Sequence, residues 1–255
     1  MKEKIVAALN RLEREHGCRM LFAVESGSRA WGFASPDSDY DVRAVYVKPL
    51  DWYLQLDESS TDTLTAMLPN DLDVVAWDLR KFLRHLGKSN ASVMEWLDSP
   101  IVYADCGLLS HLKDLELCCM EPGRIAFHYA CMFRHAMQNR TPDGTLGVKK
   151  LCYALRANLC VRWTLEKGIM PPTAFSAVLD GLALPSVQRR AIDRLLALKS
   201  GACEKDRIHP DPELGDLLQD RFDELSTVKW TKRQSGCAKA ELNRLFRTYV
   251  NGAQT

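Results

Sequence analysis

The sequence predicts an α+β protein: a small mixed β-sheet with helices over residues 1–103, followed by a mainly α-helical C-terminal domain over residues 104–255. Three observations lead there. Short apolar runs rich in Val and Tyr lie before residue 78, stretches of helical periodicity separate them, and after Pro100 strand signals nearly vanish while apolar residues keep recurring at helical spacing.

Ile5, Leu9 and Leu12 recur at helical spacing ahead of Gly17, a suitable C-terminal stop, so residues 2–16 read as a helix. Met20 to Val24, Tyr40 to Val47 and Leu72 to Trp77 then read as three strands. Asp78 caps a helix whose apolar face is Leu79, Phe82, Leu83 and Leu86, with Arg80, Lys81 and Arg84 turned elsewhere. Ser92 to Glu95 has the capping-box pattern for another helix ending near Asp98. Residues 107–120, 123–139, 146–167, 186–199, 212–226 and 236–250 complete the helices, with Met170-Pro171-Pro172 closing the third of these. The expected sheet has three to five short strands, and the helical domain is expected to close a cleft over it.

Composition limits the function classes. With 34 Lys and Arg against 33 Asp and Glu, the chain has no bulk field that would draw it to nucleic acid, so any such contact is local. There is no apolar run of membrane-spanning length, and the start Met1-Lys2-Glu3-Lys4 lacks the layout of a signal peptide, so a cytoplasmic protein with no membrane partner is expected. The nine cysteines are an odd count without C-x-x-C pairs and read as reduced, mostly buried thiols.

The segment GSRAWGFASPDSDYDVRAVYV, residues 27–47, carries the chemistry. Gly27 and Ser28 follow directly on a strand, and a glycine there lets backbone N–H groups approach an anion closely. After ten intervening residues come Asp39 and Asp41, two apart, which on a strand places them on one face roughly 7 Å apart. Two such carboxylates repel each other unless a cation sits between them, so the pattern suits Mg²⁺. A two-metal site, with ions roughly 3.5–4 Å apart, needs a third carboxylate. Asp73 is the first choice, on a strand able to lie beside Asp39 and Asp41, and Asp71 is the reserve.

Gly27-Ser28, ten residues, then Asp39-Tyr40-Asp41-Val42 resembles the signature of the polymerase-beta nucleotidyltransferase superfamily. Together with DLRKFLRHLGKSNASVMEWLDSPIVY at 78–103 and KKLCYALRANLCVRW at 149–163, the chain is similar to the bacterial and phage nucleotidyltransferases associated with RNA repair. The resemblance implies a polymerase-beta-like catalytic domain in which Gly27 and Ser28 hold the β and γ phosphates. It implies further that Asp39 and Asp41 ligate both metals, Mg²⁺ or alternatively Mn²⁺, and that Asp73 ligates the one activating an acceptor hydroxyl. The reaction implied is transfer of a nucleoside monophosphate from a nucleoside triphosphate, with release of pyrophosphate. The crowded DSDYDVR departs from the commonest pattern: Asp37 adds a carboxylate suited to capping a loop, and Arg43 can pair with a carboxylate or a phosphate.

Two further groupings stand out. His128, Cys131 and His135 share a helical face downstream of Cys118 and Cys119, but without the paired spacing of zinc modules they read as a helix–helix interface. Lys149, Tyr153 and Arg156 share another face beside Lys150, read either as a solvated basic face or as cations for triphosphate with Tyr153 against the base. Two function classes remain: a Mg²⁺-dependent nucleotidyltransferase acting on an RNA end, a protein or a small molecule, and a non-catalytic nucleotide- or RNA-binding protein of the same fold. No motif names the base, the acceptor or a protein partner.

Overall fold

A computed structural model describes residues 1–56, 61–68, 72–201, 206–230 and 235–252. In chain order the elements are α1 (Lys2–His16), β1 (Arg19–Glu25), α2 (Gly27–Trp31), β2 (Tyr40–Val47), α3 (Leu50–Tyr53), β3 (Thr63–Leu68), β4 (Leu72–Asp78), α4 (Leu79–Leu86), α5 (Ala91–Leu97) and β5 (Val102–Asp105). There follow α6 (Leu108–Cys119), α7 (Pro122–Met137), β6 (Leu146–Gly147), α8 (Val148–Lys167), α9 (Phe175–Gly181), α10 (Ser186–Gly201), β7 (Arg207–Ile208), a 3-10 helix at Pro212–Leu218, α11 (Phe222–Thr227) and α12 (Ser235–Asn251). The fold is α+β, as the sequence predicts.

The chain forms two units. The first comprises Met1–Ala30, Asp39–Met120 and α12; the second comprises Trp31–Ser38 and the chain from Glu121 through α11. The partition does not follow the single boundary expected after residue 103. α6 stays with the first unit, α12 returns to it, and the eight residues of Trp31–Ser38 belong with the helices of the second.

The first unit is built on a five-stranded mixed sheet in the order β3-β4-β2-β1-β5, with β2 and β4 parallel and every other pair antiparallel. α1 buries Ile5, Leu9 and Leu12 on one face of the sheet, against Val42, Ala44, Tyr46, Leu64, Val74 and Ala76. The opposite face is divided. Over β1 Phe22 and β4 Trp77, α4 and α5 set Phe82 edge-on at 5.4 Å and Trp96 at 4.7 Å. Further along the same face, Thr65 and Met67 of β3 are exposed beside Val75 and Asp73 of β4.

Several local expectations are corrected. β3 was not expected, and β5 forms beyond Pro100, because pairing at a sheet edge organises segments whose own signal is weak. The α5 cap is Asn90, whose side chain accepts from Val93 N–H, rather than Ser92. α8 ends at Lys167, as expected, but its stop is the left-handed cap Gly168 at φ 67° rather than Met170-Pro171-Pro172. Residues 212–226 form the 3-10 helix and α11 rather than one helix. Of the seven described cysteines only Cys119, Cys152 and Cys160 are buried; of the face His128, Cys131 and His135 read as a helix–helix interface, Cys131 and His135 are exposed and His128 is half-buried.

The second unit packs α7 on α8 through Phe133, Ala136, Ala154 and Ala157, alanines that allow close approach. Asn158 donates to the carbonyls of Leu217 and Gln219, tying the 3-10 helix to α8. Two buried cations hold Trp31–Ser38 and its surroundings. Lys199 donates to the Phe33 carbonyl at 2.7 Å, and the Arg156 guanidinium lies 4.3 Å from the centre of the Trp31 ring. Among the described residues no helix is long and apolar enough to cross a membrane.

One carboxylate of the first unit makes stability depend on pH. Burial pushes the Glu116 carboxyl up to about 7; the charge of Asp98 adds to the rise and Lys113 opposes it. A carboxyl raised in the folded state contributes fully below its unfolded value, and that contribution is lost as pH rises through about 7. Glu116→Gln imitates the protonated form. It is expected to raise Tm by about 2–4 °C in mildly alkaline buffer and to lose that advantage in acid. A Tm difference independent of pH in circular-dichroism melts would contradict this.

Candidate active site

The parallel pairing of β2 with β4 sets Asp41 directly opposite Asp73, and Arg43 opposite Val75. Strand parity explains the placement: Val42, Ala44, Val74 and Ala76 point into the α1 core, so Asp41, Arg43, Asp73 and Val75 must face the other way. Arg43 bridges the two acids, its Nη2 donating to Asp41 Oδ1 at 3.0 Å and its Nη1 to Asp73 Oδ2 at 2.9 Å. All three side chains are partly exposed. Burial raises the Asp41 carboxyl above its ordinary range; Arg43 opposes the rise, and the charges of Asp73 and Asp39 add to it. Asp39 is the last residue before β2 and is exposed.

The turn after β1 is fastened to this pair. Ser26 N–H donates to the Asp41 carbonyl at 2.8 Å, and Gly27 takes φ +61°. A Cβ placed on Gly27 would stand 2.3 Å from Asp41 Oδ2, so the glycine is required by the closeness of this carboxylate as well as by its backbone. Ser28 is buried within α2. Arg29 donates from Nε to the Asp39 carbonyl at 3.0 Å and stacks its guanidinium 3.8 Å from the centre of the Tyr40 ring, steadying the start of β2.

Glu25 is a residue that motif reading passed over. Fully buried at the end of β1, it accepts from Asp41 N–H at 2.8 Å and from the Tyr103 hydroxyl. Burial raises its carboxyl, those two hydrogen bonds oppose the rise, and the Asp41 charge adds to it. A buried acid holding the backbone of Asp41 is a positioning group. Its signal in the sequence was an acidic residue ending an apolar run immediately before Ser26-Gly27.

Among the described residues, no three His, Cys, Asp or Glu side chains converge closely enough to hold a metal ion on their own. Mg²⁺ does not need such a cage, since it is held by one or two carboxylates with the remaining ligands from phosphate and water. The donors fit that mode: Asp41 and Asp73 are hard oxygen ligands one strand apart, and a cationic group, Arg43, already lies between them. Asp39 adds a third carboxylate whose charge reaches Asp41. Asp71, the alternative to Asp73, lies outside the described residues.

The three residues chosen on α8 belong to the second unit and separate there. Arg156 is a correction: it is 1% exposed, donates to the Thr173 carbonyl at 3.2 Å and packs on Trp31, so it is an internal cation rather than part of an open phosphate-binding face. Tyr153 is half-buried and sets its ring edge-on to Trp31 at 5.2 Å. Lys149 remains partly exposed, and its charge reaches Asp37. Asp37 itself is held below the ordinary carboxylate range by a hydrogen bond from Ser35, with Lys149 and Lys199 assisting, as befits a loop cap. A helical wheel places these side chains on one face but cannot tell which of them a neighbouring segment will cover.

The uncharacterized protein YcgL of Bacillus subtilis (strain 168) is 33% identical over 248 residues, a match covering 96% of this chain and 95% of that protein. A nucleotidyltransferase-like protein from Exiguobacterium sibiricum 255-15, known from a crystal structure, aligns at 14% identity with a TM-score of 0.35, covering 86% of this chain and 77% of its own. The family RlaP, described as the RNA repair pathway DNA polymerase beta family, matches residues 1–248, and the chain belongs to it.

Proposed function

We propose that the protein is a Mg²⁺-dependent nucleotidyltransferase that moves a nucleoside monophosphate from a nucleoside triphosphate to a hydroxyl acceptor. The observation that carries this reading is the register pairing of Asp41 with Asp73 on the face beside the Gly27 turn. An acceptor hydroxyl attacks the α-phosphorus, the bond to the bridging oxygen of pyrophosphate breaks, and the hydroxyl proton leaves to solvent. Mg²⁺ held by Asp41 and Asp73, with the Asp39 carboxylate two residues before Asp41, would neutralise the phosphate charge and lower the barrier to that attack. Gly27 keeps the turn close to Asp41, Ser28 lies next to it for the phosphates, and Glu25 holds Asp41 in place. An RNA end is the first choice of acceptor because the family is described by an RNA repair pathway.

A second reading, nucleotide or RNA binding without turnover, draws support from Arg43, which already occupies oxygens of Asp41 and Asp73. Incubating the chain with each α-labelled nucleoside triphosphate and Mg²⁺ separates the two. The acceptors are RNA oligonucleotides ending in hydroxyl or phosphate, protein extracts, and small hydroxyl or amine compounds. Label on hydroxyl-ended RNA with equimolar pyrophosphate is the expected result. Nucleotide binding without label transfer to any acceptor would establish the second reading.

A further inference from the structure

We propose that Arg43 is a placeholder cation: it occupies the Asp41–Asp73 pair before a divalent ion is bound, and its departure is the step that admits the ion. The inference rests on the nucleotidyl-transfer reading and concerns the same carboxylates.

The geometry puts one side chain on both acids. The guanidinium spans two carboxylates on neighbouring strands with one nitrogen to each, at 3.0 and 2.9 Å, a match that a planar fork makes and an ammonium does not. Its other contacts are to backbone carbonyls alone: Nη1 also reaches that of Val42 at 3.2 Å and that of Asp73 at 3.5 Å. Once the carboxylates turn to another cation, little else holds the side chain. Its 20% exposure and long stem leave it a route outward.

Charge balance supplies the reason for a placeholder. Asp41 and Asp73 stand opposite each other on neighbouring strands, with Asp39 two residues before Asp41. Without a cation these acids repel each other. Arg43 compensates them in the metal-free chain. The same oxygens cannot serve the guanidinium and a divalent ion together, so the two compete, and Arg43 sets how much free metal the site requires. A permanent brace between β2 and β4 would use the same two hydrogen bonds but would remain in place when metal binds.

Mn²⁺ binding to the full-length chain in the absence of nucleotide, followed by loss of the free-ion electron paramagnetic resonance signal, distinguishes these roles. Arg43→Gln is expected to bind Mn²⁺ about ten-fold tighter than the parent, because the competitor is gone. Arg43→Lys, a point charge unable to span both acids, is expected to fall between them. It is the independent check should the Gln variant lose its fold by circular dichroism. Mn²⁺ affinity in the folded variants equal to or weaker than the parent's overturns the placeholder and leaves nucleotidyl transfer standing. Absence of Mn²⁺ binding in the parent and both variants overturns the placeholder, and absence again with a nonhydrolysable nucleoside triphosphate present overturns the metal-dependent reaction as well.

Discussion

Asp41→Asn is expected to reduce nucleotidyl transfer by about a hundred-fold or more while leaving Tm unchanged or slightly raised, a combination that neither a core residue nor an idle surface residue would give. The activity loss follows from position. Asp41 is the central acid, opposite Asp73 across β2 and β4, within reach of the Asp39 charge and fixed through its backbone by Glu25. Asparagine keeps the shape but removes a charge from the site proposed to hold Mg²⁺. The stability result follows from the environment: burial and two neighbouring acids already disfavour the ionised form, and Arg43 only partly offsets them. A neutral side chain there relieves more than it loses, and it can still accept from Arg43. Thermal melting with and without Mg²⁺ and triphosphate, beside pyrophosphate release, measures both parts. Turnover retained in Asp41→Asn would end the metal-dependent mechanism, whereas turnover retained only in Asp73→Asn would move the third carboxylate elsewhere.

The second large effect is expected at Gly27. Alanine must adopt φ +61°, which costs about 1–2 kcal/mol for an L residue, and its Cβ would meet Asp41 Oδ2 at 2.3 Å. The carboxylate therefore moves, and displacement of about 1 Å at a reacting centre can cost about a hundred-fold in rate. Gly17→Ala is the matched control. Gly17 has a similar φ of +53° but no atom within 4 Å of its would-be Cβ, so it carries the backbone strain without touching the site. Both variants are expected to lose Tm, and only Gly27→Ala to lose transfer. Equal activity in the two would show that the contact with Asp41 has no bearing on catalysis.

The elements most legible in the sequence were those whose signal is local. α1 stops at Gly17 because a left-handed C-cap suits glycine, β2 spans Tyr40–Val47 as its β-branched and aromatic residues indicate, and Asp78 caps α4 through Arg80 N–H. β3 and β5 lie at the two edges of the sheet, and each gains its definition from its partner strand. The site divides in the same way. Gly27, Ser28, Asp39, Asp41 and Asp73 are candidates by residue type and spacing, and the structure sets Asp41 opposite Asp73 and beside Gly27. Glu25 is no such candidate, since an acid at the end of an apolar run resembles the beginning of a loop until its burial is known.

By itself the sequence determined the α+β class, the turn and acid motif, and the resemblance that leads to the family, all of which depend on residue type, periodicity and spacing along the chain. Only the tertiary structure decided that Arg43 lies between Asp41 and Asp73, that Arg156 and Lys199 are buried cations, and that α12 returns to the first unit. Those outcomes depend on which distant segment covers a given side chain. A cation's role changes from phosphate ligand to internal counter-ion according to that cover, and no pattern along the chain encodes it.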